Sequence, residues 1–192
     1  NKPGTLAGLL AAVARMNSSV GTIELINETA NSVVRDITVY ADDAEHMDKV
    51  IEAIHDNEGT LVIEVRDEVL ALHSKGKIAI RSRFPIDSIA TLRRVYTPGV
   101  AEVCLKIADD PDLARLYTSV SHMVAIVTDG TAVLGLGDIG PLASMPVMEG
   151  KAMLMETLVG LSGVPILLNT KHTDEIVQAV AAIAPTFAAI QL

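Results

Sequence analysis

Between Gly130 and Lys151 the chain places five glycines and one lysine, and no other stretch constrains its fold so strongly. The segment Val124–Lys151 reads VAIVTDGTAVLGLGDIGPLASMPVMEGK. An apolar, strand-like run ends at Thr128-Asp129-Gly130, and a glycine-rich loop follows. Met145-Pro146 is then expected to open a helix carrying Lys151 in its first turns. Glycine at this density shapes backbone around a neighbour or a ligand.

The surroundings of this loop read as an α/β chain in two parts. Thr5 is placed to cap a first helix, with Leu6, Leu9, Leu10 and Val13 along one face. Strands at 22–26 and 33–40 flank a polar turn and form a hairpin. Asp42 or Asp43 caps a helix whose face is Met47, Val50, Ile51 and Ile54, closed at Gly59. Leu61, Ile63 and Val65 alternate as a third strand. After a connector at 70–76, residues 77–83 alternate as a strand, and Asp87 or Ser88 caps a helix through Arg94. Helices are expected at 100–107 and in a short piece to Tyr117, then strand 123–128, helix 146–160, strand 164–168, helix 173–184 and a strand at 187–192. Strands apolar throughout, such as Ile166-Leu167-Leu168, suit a parallel sheet covered on both faces. The composition shift places a domain boundary near residue 72.

Composition narrows the function. Hydrophobic residues make up 49% of 192, but aromatics only 3%, so the core is aliphatic. A net charge of −9 argues against a nucleic-acid partner. Cys104 is the sole cysteine, which excludes an intrachain disulfide and suits a reducing compartment. No apolar run approaches the roughly 18 residues of a membrane helix, and no signal-peptide pattern appears. A soluble, cytoplasmic protein is expected. The first residue, Asn1, and the apolar ending Ile190-Gln191-Leu192 suggest a piece of a longer chain.

Three features bear on chemistry. Gly135 to Gly140 spells GxGxxG, yet Pro141 follows the third glycine directly and Asp138 puts negative charge where a pyrophosphate would lie. A tight turn walling a neighbouring site is the better reading. Lys151 follows Gly150 near the expected start of an apolar helix, where the dipole disfavours positive charge. Against the ordinary reading of a solvated surface lysine, it is a candidate base. Tyr96-Thr97-Pro98-Gly99 holds a phenol on a rigid turn, a candidate acid if it is not simply packing. The five histidines lack zinc spacing, the acids at 109–112 read as caps, and Cys104 reads as core.

The order αββαβ over residues 1 to about 68, with Lys2-Pro3-Gly4-Thr5-Leu6 leading into the first helix, resembles an ACT domain. That resemblance implies a ferredoxin-like α+β fold, a further strand upstream of Pro3, and binding of a small effector, often an amino acid, near Pro3 and Gly4. Tyr96-Thr97-Pro98-Gly99-Val100-Ala101, Val127-Thr128-Asp129-Gly130, Val133 to Gly140 and Met145 to Lys151 resemble the N-terminal catalytic domain of malic enzymes, from about Lys77 to Leu192. The whole then reads as an ACT-like regulatory domain at 1–72 and the front of a malic enzyme catalytic domain at 73–192. The resemblance implies oxidative decarboxylation of L-malate to pyruvate and CO2, with NAD or NADP as acceptor and Mg2+ or Mn2+ as Lewis acid. It makes Lys151 the base for the C2 hydroxyl proton and Tyr96 the acid that protonates C3 of the enolate. Asp129, Gly130, Gly135 and Gly137 become the wall of the substrate site. It also implies a homo-oligomer. It assigns no metal ligand or nucleotide-binding residue within this chain, expecting both beyond Leu192. Some members carry an arginine in the Asp-Gly-x-x loop, where this chain has Thr131-Ala132. The rival reading is a small-molecule-binding regulatory module without catalysis of its own; malolactic or phosphotransacetylase-fused relatives are a third.

Overall fold

The computed structural model describes residues 2–192, which divide into two compact units, one ending at Asp67 and the other spanning Glu68–Leu192. In the first unit, helix α1 (Thr5–Arg15) leads to strands β1 (Ser19–Glu28) and β2 (Val33–Tyr40), followed by helix α2 (Ala44–His55). The two strands pair antiparallel, with register shifts between Val20 and Ile23 and between Leu25 and Asn27. The two helices pack together, burying Ala12, Val13 and Val50 completely. Asp43, one of the two expected caps, accepts the His46 amide at 2.8 Å and so starts α2. The His46 ring receives the Asp42 amide on Nδ1 and donates from Nε2 to the Met16 carbonyl, tying the start of α2 to the end of α1.

Three expectations for this unit need correction. Gly4, in a left-handed conformation with φ of 88°, is the N-cap of α1, while the Thr5 hydroxyl turns back to the Lys2 carbonyl. Asp56, rather than Gly59, caps the end of α2. Residues 61–65 form no strand, and Leu61 is 77% exposed. Alternation sets which way side chains face, but a strand also needs a ladder partner, and this segment has none among the described residues. What is observed is therefore a helix–hairpin–helix arrangement, short of the full ferredoxin-like sheet.

The second unit carries α3 (Glu68–His73), where a connector was expected, then α4 (Ile89–Val95), α5 (Val100–Asp109) and the short α6 (Ala114–Tyr117). Its centre is a parallel sheet of β3 (Met123–Thr128), β4 (Ser162–Leu167) and β5 (Ala189–Gln191) in the order β4-β3-β5. The all-apolar run Val124–Val127 is buried in the middle strand, as a parallel sheet demands. Pro165 sits in β4, an edge strand, where a missing N–H is tolerated. Helix α7 (Pro141–Val159) lies on β3 and β4, and α8 (Thr173–Ile183) joins β4 to β5. Ile126, Met148 and Ala152 form the buried contact, with Ile78, Val147, Met155 and Leu167 around them. A Cβ on Gly163 would lie 2.7 Å from the Ala152 Cα, so glycine there is what lets α7 approach β4.

Residues 77–83 are not a strand: Lys77 is tied to α7 instead, and Ile80 is 94% exposed. Cys104 is exposed, because α5 buries none of its residues. No described helix is long and apolar enough to cross a membrane.

Candidate active site

The loop between β3 and α7 is folded on itself. Gly130, in a left-handed conformation (φ 75°), offers its carbonyl to the amides of both Ile139 and Gly140 at 3.2 Å. Within the loop, Val133 donates to the Gly137 carbonyl at 3.0 Å and Leu136 to the Val133 carbonyl at 2.9 Å. Val133 is the buried plug of this turn. Leu134 adopts a positive φ, and Gly135 and Gly137 stand exposed on the rim with open space where a Cβ would go. The loop therefore fails as a pyrophosphate cradle. The amides nearest the α7 N-terminus point inward to Gly130, and GxGxxG begins well past the end of β3.

Helix α7 opens at Pro141, not at Met145-Pro146. Gly140 (φ 82°) sets the turn, and a proline at the first helical position lacks only an N–H that would have no helical partner. Pro146 then lies inside the helix, and Lys151 is mid-helix rather than in the first turns. The dipole argument for Lys151 is thereby lost, since that field fades within one turn. What replaces it is local. Lys151 is half-buried between the buried Met148 and Ala152, and among the described residues its amine has no hydrogen-bond or ion-pair partner.

Tyr96 caps the C-terminal end of α4 and is 66% exposed. Its carbonyl accepts the Val100 amide at 2.7 Å, and the Thr97–Pro98 peptide is cis. Gly99 makes this turn fit, since a Cβ there would meet the Arg94 carbonyl oxygen at 2.6 Å. Among the described residues no hydrogen bond joins Tyr96 to Lys151. The geometry thus gathers Asp129, Gly130 and Gly137 in one loop and leaves Tyr96 and Lys151 on separate helices.

Asp129 follows β3 and accepts both the Thr131 hydroxyl at 2.7 Å and the Thr131 amide at 3.0 Å. These bonds, with a smaller push from the Lys171 charge, hold its carboxyl below the ordinary value of 3.8. A depressed folded value means that this contribution to stability is present above pH 3.8 and is lost as the pH falls through the lower folded value. Thr131→Val, which removes the hydroxyl and keeps the amide, should raise the Asp129 value toward 3.8 in a carboxylate-resolved NMR titration. An unchanged value would refute the hydroxyl's part.

Two groupings here carry no sequence signal. Lys77 donates from Nζ to the Pro146 carbonyl at 2.6 Å and to His73 at 2.9 Å, while its backbone amide reaches Glu149 at 3.1 Å. That ties the chain before α4 to the helix turn preceding Lys151. Lys171, after β4, bonds Asp138 in the glycine loop. Of these residues only Asp138, an acid inside the glycine loop, stands out in the sequence. Among the described residues, no group of three His, Cys, Asp or Glu side chains could hold a metal ion.

Residues 75–192 match the family model for the malic enzyme N-terminal domain. The chain belongs to the malic enzyme family. It is 47% identical to NAD-dependent malic enzyme 1 of Bacillus subtilis over 99% of its length, covering 44% of that protein. Against the NAD-dependent malic enzyme of Geobacillus stearothermophilus it is 46% identical over 98% of its length, covering 39%. The crystal structure of the NAD-dependent malic enzyme from Thermotoga maritima superposes with a TM-score of 0.63 at 40% identity, over 65% of this chain and 36% of that one. The chain thus spans less than half the length of these malic enzymes, and the resemblance seen in its Tyr96 and Lys151 motifs is borne out at the level of family.

Proposed function

We propose that this chain is the front portion of a malic enzyme that converts L-malate to pyruvate and CO2 while reducing NAD or NADP. The observation that carries this reading is the family match over 75–192, an interval containing both Tyr96 and Lys151. In this reading the uncommitted Lys151 amine receives the C2 hydroxyl proton as the carbinol is oxidised. Loss of the carboxylate β to the new carbonyl leaves an enolate, and the Tyr96 phenol returns a proton to C3. Asp129, Gly130, Gly135 and Gly137 wall the substrate side of the loop, whose internal bonds favour a rigid rim. The electron acceptor follows the names of the relatives, some NAD-dependent and others NADP-dependent. The test is malate-dependent formation of NADH or NADPH by the full-length protein with a divalent cation present. A purified, folded protein that forms neither would sink the reading.

The first unit, to about residue 72, fits an ACT-like effector-sensing module. The left-handed turn at Gly4 supports this, because Pro3 and Gly4 are exposed and nothing crowds the glycine. Calorimetric titration of the full-length protein with amino acids, comparing wild type with Gly4→Val, is expected to show binding that the variant loses. Equal binding by both would remove Pro3 and Gly4 from the effector site.

A further inference from the structure

The carboxyl ends of β3 and β4 frame an open depression of about 400 Å³, where open α/β sheets place their ligands. Its lining includes Asp129, Asn169, Thr170, Lys171, His172 and Glu175, and Lys171 is its one Lys or Arg among the described residues. The charge balance is unfavourable for an anion. Asp129 and Glu175 line the depression, and Asp138 stands at its edge through its bond to Lys171. The chain as a whole carries −9. A dicarboxylate approaching this rim meets like charge within the roughly 10 Å over which 0.1 M salt leaves charges unscreened.

We propose that Lys171, paired with Asp138 across the two loops, is the counter-charge that lets a dicarboxylate substrate approach this rim, Asp138 being one of the like charges it offsets. The proposal rests on the malate reading above and adds to it a determinant of substrate affinity. Three features support it. The Lys171–Asp138 pair joins the two loops that bound the depression. The Lys171 charge also reaches Asp129, on the same side. One hydrogen of the ammonium faces Asp138, and two remain for a ligand carboxylate. The acids are otherwise only partly quenched, Glu175 by the Thr170 hydroxyl and Asp129 by Thr131.

The test is a charge cycle in the full-length protein, read as malate KM and kcat at low and high ionic strength. Lys171→Met should raise KM on the order of fivefold at low salt, with kcat within about twofold, because it removes ground-state attraction and no reacting group. Added KCl at about 0.5 M should shrink the rise, since screening does the lysine's work. Lys171→Arg should behave as wild type. Asp138→Asn should leave KM at or below the wild-type value. The double variant, with the same net charge as wild type, should recover most of the affinity lost in Lys171→Met. If Lys171 merely ties two loops together, Asp138→Asn should do the same damage and the double variant should recover nothing, which overturns the proposal. A Lys171→Met rise in KM that is insensitive to salt, or no rise at all, also overturns it. Should wild type neither turn over malate nor bind it by calorimetry, the functional reading falls, and this inference with it. Wild-type turnover with an unaffected Lys171→Met variant sinks this inference alone.

Discussion

Gly130→Ala should unfold the region around the β3–α7 loop, lowering stability by more than about 4 kcal/mol, the diagnostic tail of single substitutions. Two terms add. Alanine at a φ of 75° pays the left-handed penalty of about 1–2 kcal/mol. Its Cβ would also lie 2.1 Å from the Gly140 carbonyl carbon and 2.5 Å from the Pro141 nitrogen. Those atoms are backbone at the start of α7, so nothing can rotate aside, and relief means pulling Ile139 and Gly140 off the Gly130 carbonyl. Gly135→Ala is the matched control, since its Cβ would meet nothing within 4 Å and its φ is not positive. Urea unfolding of both variants decides the matter. A Gly130→Ala protein within about 1 kcal/mol of wild type would show that the loop does not close as described.

Lys151→Ala is expected to lower malate turnover by about 10²- to 10⁴-fold, the usual contribution of a positioned base. Stability should change little, because the amine is half-buried without a partner among the described residues, and alanine is a good helix residue. Lys151→Arg should not rescue, as a guanidinium stays protonated and cannot accept the hydroxyl proton. Tyr96→Phe should also depress turnover while leaving the fold intact, since the ring is exposed and its phenol has no partner among the described residues. Full turnover in Lys151→Ala would remove this lysine from the chemistry. A thermal melt run alongside separates lost catalysis from lost fold.

Much of the local structure was legible in the sequence. The strand at 123–128 is where the apolar run ends, Ser88 and Asp43 cap their helices, and α5 and α8 begin where the spacing places them. These features depend on neighbours a few residues away, which the sequence displays directly. The misses share another cause. Residues 61–65 and 77–83 alternate as strands do, but only a partner edge could make them strands, and at Lys77 helix α7 recruits the segment instead. Met145-Pro146 was the expected start of the helix, but Pro141 suits the first helical position equally well. The loop closure at Gly130, which fixes Gly140 as the N-cap, selects Pro141.

The site divides in the same way. The sequence by itself determined the family, because its motifs are contiguous and specific, and it singled out Tyr96 and Lys151 as the candidates for chemistry. The tertiary structure alone decided that the glycines close a rim instead of cradling a pyrophosphate, and that Lys151 lies beyond the reach of the α7 dipole. It also decided that Lys171 stands against Asp138 across 33 residues of chain. The physical reason is that residue type and short-range spacing are written along the chain. Which carbonyl satisfies an amide, and which charge faces another, depends on segments meeting that are distant in sequence.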